Sequence, residues 1–188
     1  DGARCLVYRS GTTPANDFYG GRRPGAGLFG ESLVCLDAAT GQRKWHFQIV
    51  HHGLWDYDNP SPPNLVTIRV DGRPVDAVVQ LTKQGFAFVF DRVTGKPIWP
   101  IQERAVPASD VEGEHAWPTQ PFPTRPPAIT EQGVTADDAI DFTPALKAAA
   151  QRELAKYRIG PVFTPPTLRG TVQRPGLIGG ANWGGGAF

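Results

Sequence analysis

Thirteen consecutive positions, His51 to Pro63, hold two histidines, a tryptophan, two aspartates and three prolines. The run reads His-His-Gly-Leu-Trp-Asp-Tyr-Asp-Asn-Pro-Ser-Pro-Pro. It is too polar and too Pro-rich for a core helix or a long strand. It follows directly on Lys44 to Val50, which reads as a strand. A stiff aromatic loop at a strand's end, carrying carboxylates, is where a scaffold usually places chemistry. Asp56, just after Trp55, is the candidate proton acceptor. Lys83 stands between an apolar run and Gly85. Asn182-Trp183, inside Gly179-Gly-Ala-Asn-Trp-Gly-Gly, offers an amide and an indole ring in a glycine-rich turn. Each has a plainer alternative: a turn-capping aspartate, a solvated loop lysine, a tight turn with a packed ring.

Other chemistries find little support. His51 and His52 are neighbours at a strand end and point to opposite sides, so they do not easily share one metal. No Cys or His stands at zinc spacing from them. Gly20-Gly21 and Gly184-Gly-Gly186 lack the lysine and the strand-to-helix setting of phosphate loops. No Gly-x-Ser-x-Gly is present.

The elements that must position these residues are short. Arg4 to Arg9, Glu31 to Leu36 and Lys44 to Val50 read as three strands of an antiparallel meander, with a glycine-rich loop from Ser10 to Leu28 between the first two. Asn64 to Val70 and Pro74 to Leu81 read as a hairpin through Asp71-Gly72-Arg73. Phe86 to Asp91 is the next strand. Leu36-Asp37-Ala-Ala-Thr40-Gly41-Gln-Arg-Lys-Trp45 recurs 54 residues later as Phe90-Asp91-Arg-Val-Thr94-Gly95-Lys-Pro-Ile-Trp99. In each copy Asp and Thr cap a turn, Gly supplies positive φ, and Trp is expected to pack its ring on the next unit. Each unit leaves an apolar face that only a neighbour can cover, the logic of radial repeats. The expected fold class is all-β, a β-propeller fragment, with one inserted helix near 143–157. Residues 1–188 make one partial propeller of about three to four blades. Residues 100–160 form a long Pro-rich loop plus that helix, which Thr143 caps and Pro144 opens.

Composition sets the outer limits. The chain has 188 residues and a formal charge of +1, with no basic excess to suggest nucleic acid or an anionic membrane surface. Its 22 Gly and 19 Pro are high, but five Trp and ten Phe argue for an ordered, turn-rich core. Cys5 and Cys35 lie on candidate neighbouring strands and are either a bridge or two small buried hydrophobes. No apolar run is long enough to span a bilayer. Position 1 is not Met and a strand starts almost at once, so the chain reads as an internal piece of a longer protein.

At this point the residues carry a resemblance. The repeat with its terminal Trp resembles the tryptophan-docking repeat of pyrroloquinoline-quinone (PQQ) dehydrogenases. His51-His52-Gly-Leu-Trp55-Asp56-Tyr57-Asp58, with Lys83 spaced 27 residues after Asp56, resembles that family's active-site segment, in the membrane glucose and quinate dehydrogenase branch. Thr119-Gln-Pro-Phe-Pro, Gly160-Pro-x-Phe-Thr-Pro-Pro and the Asn182-Trp183 turn are also similar to that branch.

The resemblance implies PQQ near the axis of an eight-bladed propeller, with Ca²⁺ bound to the quinone. It implies that Asp56 is the catalytic base, Lys83 the donor to the quinone oxygens, and Asn182 with Trp183 further cofactor contacts. It implies oxidation of a sugar, polyol or alcohol in the periplasm, with electrons passed to ubiquinone or a cytochrome c. Membrane association would come through segments outside this chain. The chemistry is consistent, because an alcohol's hydride needs an acceptor that no side chain provides. Three departures stand out. Gly53 occupies a position where relatives often have Asp. Gly11 stands where they often place a Ca²⁺-binding Asn, leaving Thr12 as a weak metal candidate. The family's Glu ligand would lie before residue 1. Two rivals remain: a cofactor-free propeller scaffold, which explains the repeats but not the Asp56–Lys83 spacing, and a sugar-binding module built on Trp55 and Trp183, which does not require the lysine.

Overall fold

A computed structural model describes residues 1–188. Eight strands and one helix follow in order: β1 (Leu6–Ser10), β2 (Ser32–Asp37), β3 (Arg43–Gln48), β4 (Asn64–Val70), β5 (Arg73–Leu81), β6 (Ala87–Asp91), β7 (Ile101–Ala105), β8 (Thr119–Pro123) and α1 (Pro144–Leu154). They form three antiparallel sheets, β1-β2-β3, β4-β5-β6 and β7-β8.

The first two sheets are the expected meander and hairpin. Val70 pairs with Arg73, so the β4–β5 turn is the two residues Asp71 and Gly72. Both have positive φ, 48° and 77°, which a tight hairpin of this twist requires and which Asp-Gly tolerates. The two Asp-x-x-Thr-Gly turns close alike. Asp37 Oδ1 accepts from the Ala39 and Thr40 amides and the Thr40 hydroxyl, and Asp91 Oδ1 accepts from Val93 and Thr94 in the same pattern.

β6 has an unbroken apolar run because both its faces are covered. Phe88 and Phe90 pack on Phe47 of β3, with ring centroids 5.8 and 5.0 Å apart. Val89 faces the other way, into a small cluster with Val66 and Ala77. Trp45 crosses from the first sheet to the second, donating its indole N–H to the Arg92 carbonyl at 3.3 Å. Its ring lies on Gly95, where an added Cβ would sit 2.5 Å from a ring carbon.

Three expectations change. The Pro-rich stretch after Trp99 is not all loop: β7 and β8 pair within it. The exposed, polar sequence of β7 and the prolines at 121 and 123 in β8 hide the strands, and a two-stranded sheet has only edges, where proline is tolerated. The helix ends at Leu154 rather than Tyr157; Lys156 and Tyr157 close by tighter bonds to Glu153 and Leu154. Thr143 caps it as expected, at 3.2 Å, and no residue of it is buried. Both cysteines are free; Cys35 is buried, but Cys5 is exposed and precedes β1 in a left-handed conformation. In the β1–β2 register Cys35 faces Tyr8, so Cys5 has no place opposite it.

Candidate active site

Residues 49–63 leave β3 and cross the molecule without regular structure. Their side chains alternate. Trp55 and Tyr57 point inward, 1% and 0% exposed, and their rings stack with Phe163 set edge-on at 5.1 Å from Trp55. Asp56 and Asp58 therefore fall on the other side, toward Lys83. Segments distant in sequence hold the loop in place. The Trp55 indole donates to the Thr164 carbonyl at 2.9 Å, the Tyr57 hydroxyl to the Pro175 carbonyl at 2.7 Å, and the Gln173 amide to the Trp55 carbonyl at 2.9 Å. At its start, buried Gln120 clamps both backbone groups of His51, accepting from its N–H at 2.8 Å and donating to its carbonyl at 2.7 Å. A buried amide pair of this kind replaces a strand partner.

Lys83 stands at the tip of the β5–β6 hairpin. Thr82 closes that tip, its hydroxyl accepting from the Phe86 N–H, and Gly85 supplies φ +82°. The lysine is 6% exposed. Its ammonium lies 3.3 Å from Asp56 Oδ1, donates to the Asp56 carbonyl at 3.0 Å, and touches Asp58 Oδ1. A buried ammonium between two carboxylates is compensated in charge and fixed in place. Asp56 has positive φ, 55°, an uncommon backbone state for a residue other than glycine. Its carboxyl is partly exposed. Burial pushes its pKa up, Lys83 opposes that, and the charges of Asp58 and Asp17 add to the rise.

The structure thus brings Asp56 and Lys83 into contact. The Asn182 segment runs beside them: the Gly180 N–H donates to the Lys83 carbonyl at 2.8 Å, and Gly179 packs on Lys83 Cα so closely that a Cβ would collide at 2.5 Å. The Asn182 side chain, however, is engaged in its own turn, donating to the Ile178 carbonyl and accepting from the Trp183 N–H, each at 2.7 Å. Trp183 is 80% exposed. Thr12 is exposed on a separate cavity beside Arg9, Phe29 and Arg43. His51 and His52 diverge, His51 to Gln48 and Glu103, His52 to the Gly25 carbonyl.

Two carboxylates escaped the sequence reading. Asp58 was legible in principle, as the second carboxylate of a run whose aromatic residues, Trp55 and Tyr57, are buried. Glu31 was not. It is 1% exposed, has positive φ, and its carboxyl accepts from Thr13 Oγ1 at 3.0 Å. A Cβ on Gly53 would sit 2.1 Å from Glu31 Oε2, so the Glu31 carboxyl fills the space a side chain at 53 would need. Glu31, in the turn before β2, therefore sets its carboxyl directly against the Gly53 backbone. Burial raises the Glu31 pKa to about 8, against the pull of Thr13 and Arg23.

Whether these residues suit a quinone cofactor and a calcium ion can be judged from their unspent groups. Both amide atoms of buried Asn59, next to Asp58, lack partners, and Lys83 adds a fixed cation. That set fits an oxygen-rich planar ligand. For the ion the site offers the Asp56 carboxylate, while Thr12 faces a separate cavity; no three His, Cys, Asp or Glu gather into a metal-binding group.

Antiparallel sheets joined by tryptophan-docking turns, with a lysine-paired aspartate on the connecting loops, define a β-propeller of the quinoprotein class. The PQQ family described as glucose/ethanol/alcohol dehydrogenase, beta-propeller domain, matches residues 1–188, and the chain belongs to that family. Among its relatives, a probable quinate dehydrogenase (quinone) of Xanthomonas campestris pv. juglandis is 36% identical over 98% of this chain and 24% of its own length. The glycerol dehydrogenase large subunit of Gluconobacter oxydans is 36% identical over 98% of the chain and 25% of its own length. The quinoprotein glucose dehydrogenase of Escherichia coli is 35% identical over 96% and 23%. The chain spans about a quarter of the length of each of these relatives. No helix is long and apolar enough to cross a membrane.

Proposed function

We propose that the full-length protein oxidises a sugar, polyol or other alcohol with PQQ and Ca²⁺, and passes the electrons to ubiquinone or a cytochrome c in the periplasm. Residues 1–188 would contribute about three to four blades, with 100–160 as an inserted segment. The observation that carries the reading is the buried Lys83 ammonium set 3.3 Å from a partly exposed Asp56 carboxylate, on a loop braced from both ends.

When bound, PQQ supplies the hydride acceptor that side chains lack, and Ca²⁺ a Lewis acid. The chain's own residues account for the rest. Asp56 Oδ2 takes the hydroxyl proton; burial makes it a stronger base, and Lys83 keeps it ionised. Lys83 Nζ, shared among the Asp56 carbonyl and the Asp56 and Asp58 carboxylates, sets a fixed positive charge that stabilises negative charge on a ligand oxygen facing the loop. Trp183 offers an open ring face to a planar ligand, and Asn182 would have to leave its turn to donate to one. Thr12 is a single neutral donor, and Ca²⁺ takes about six to eight oxygens, so most ligands must come from elsewhere.

The test uses the full-length protein loaded with PQQ and Ca²⁺, with dye reduction on glucose, glycerol and quinate. Asp56→Asn should lower kcat by about 10²–10⁴-fold while PQQ binding persists. Unchanged turnover would remove Asp56 from the role of base. A folded wild-type protein that binds no PQQ would leave the repeats as scaffold.

A further inference from the structure

Between the loop at 20–25 and the loop at 113–118 lies a cavity of about 450 Å³, in the size range of small-molecule sites. Its lining includes Arg22, Arg23, His52, His115 and Trp117, and no acidic residue. Neither arginine has a carboxylate within salt-bridge distance. The acids behind the wall are already engaged: Glu114 accepts from the Gly20 N–H and the Ser109 hydroxyl, and Glu31 accepts from Thr13. Arg23 spends Nη2 on the Gly53 carbonyl at 2.6 Å. Its Nε and Nη1 are buried and without a partner, as is His52 Nε2. Unspent guanidinium donors in a buried position are costly and call for an acceptor.

We infer that this cavity is a carboxylate-binding subsite, and that the substrate is a hydroxy acid whose carboxylate pairs with Arg22 and Arg23. The inference rests on the redox reading above and narrows it. A guanidinium's planar fork matches a carboxylate with two parallel hydrogen bonds, which a neutral polyol cannot offer. Arg22 and His115 stand exposed on the rim and can meet an anion from solvent, while Arg23 lies deeper. The cavity borders the start of the proposed redox loop through His52; Asp56 and Lys83 do not line it. Arg23 holds the Gly53 carbonyl, three residues before Asp56, and His52 is part of the same loop. Trp117, which packs against His51 at 6.0 Å, gives the cavity an apolar wall for a carbon ring or chain. PQQ also carries carboxylates, so the test separates the two sources.

The experiment is calorimetric titration of the full-length protein with quinate, with glycerol as the neutral probe and with PQQ, in wild type, Arg22→Gln and Arg22→Lys. Each titration is run with and without PQQ and Ca²⁺. Quinate should bind the wild type, weaken about tenfold in Arg22→Gln and recover only part of that in Arg22→Lys, which restores the charge but not the fork. Raising salt from about 20 to about 200 mM should weaken quinate and leave glycerol alone. No quinate binding, or equal quinate binding in wild type and Arg22→Gln, overturns the inference. A loss of PQQ affinity in place of quinate affinity assigns the cavity to the cofactor and also overturns it. Arg22-dependent quinate binding without dye reduction on any substrate would sink the redox reading and keep the subsite. Dye reduction on glucose or glycerol without quinate binding would do the reverse.

Discussion

The two copies of the docking repeat share a turn and differ in where their tryptophans go. Around Asp37 and Asp91 the hydrogen bonds coincide, and Gly41 and Gly95 have φ of 72° and 70°. Trp45 is 9% exposed, packed between Tyr8 and Phe90 and laid over Gly95 of the second copy. Trp99 is half-buried and rests on the small cluster of its own sheet, with Ile98 and Val79. The turn is thus a property of five or six residues, whereas docking is a property of the next unit. The third sheet, β7-β8, brings no Thr-Gly turn to receive Trp99.

The largest expected effect follows from that contrast. Trp45→Ala should destabilise the full-length protein by about 3–5 kcal/mol in urea unfolding, the usual cost of emptying a buried aromatic site. Trp99→Ala should cost about 1–2 kcal/mol, the share of a half-buried ring. Equal costs would mean that another segment of the protein closes over Trp99, and the comparison would fall. The glycines sharpen it further. Gly41→Ala meets open space and pays only for left-handed backbone, about 1 kcal/mol. Gly95→Ala carries the same strain and also drives a methyl into the Trp45 ring, so about 2–4 kcal/mol is expected. In a Trp45→Ala background that excess should vanish, since the two sites share one contact.

The same division between local and distant causes explains what the sequence disclosed. The Asp-Gly hairpin, the capped turns and the helix start are set by a few adjacent residues, and each was readable. Asp56 and Lys83 were readable as a pair only through their resemblance to a known motif, since 27 residues and a hairpin separate them. Asp58 follows once Trp55 and Tyr57 are known to be buried, which leaves the two aspartates on the other side, toward Lys83. Glu31, Gln120 and Arg23 were out of reach. Their roles depend on carbonyls and glycines brought near by the whole fold, and a buried glutamate or glutamine in a strand-like stretch has no local signature. β7 and β8 were hidden for the opposite reason, a local one: β7 is exposed and polar and needs no apolar pattern, and two prolines interrupt β8.

The smallest difference between the copies is electrostatic. Asp37 has Lys44 at 3.1 Å, while the equivalent position in the second copy is Ile98. Lys44, with the Thr40 amide and hydroxyl, lowers the Asp37 pKa to about 2. At Asp91 burial pushes the pKa up, but the Thr94 and Val93 bonds outweigh it and the net shift is down. A carboxylate depressed in the folded state contributes stability above its unfolded pKa, and that stability is lost as pH falls through the folded value. For Asp37 the window therefore closes between about pH 4 and about pH 2. Lys44→Ile, which imports the second copy's residue, should raise the Asp37 pKa in a carboxyl NMR titration and leave Asp91 unmoved. Added salt should raise Asp37 more than Asp91, because the lysine pair is exposed and screened. An Asp37 that still titrates near 2 after Lys44→Ile would show that the turn's own donors set its acidity. The two copies would then be electrostatically alike, and only the docking of their tryptophans would tell them apart.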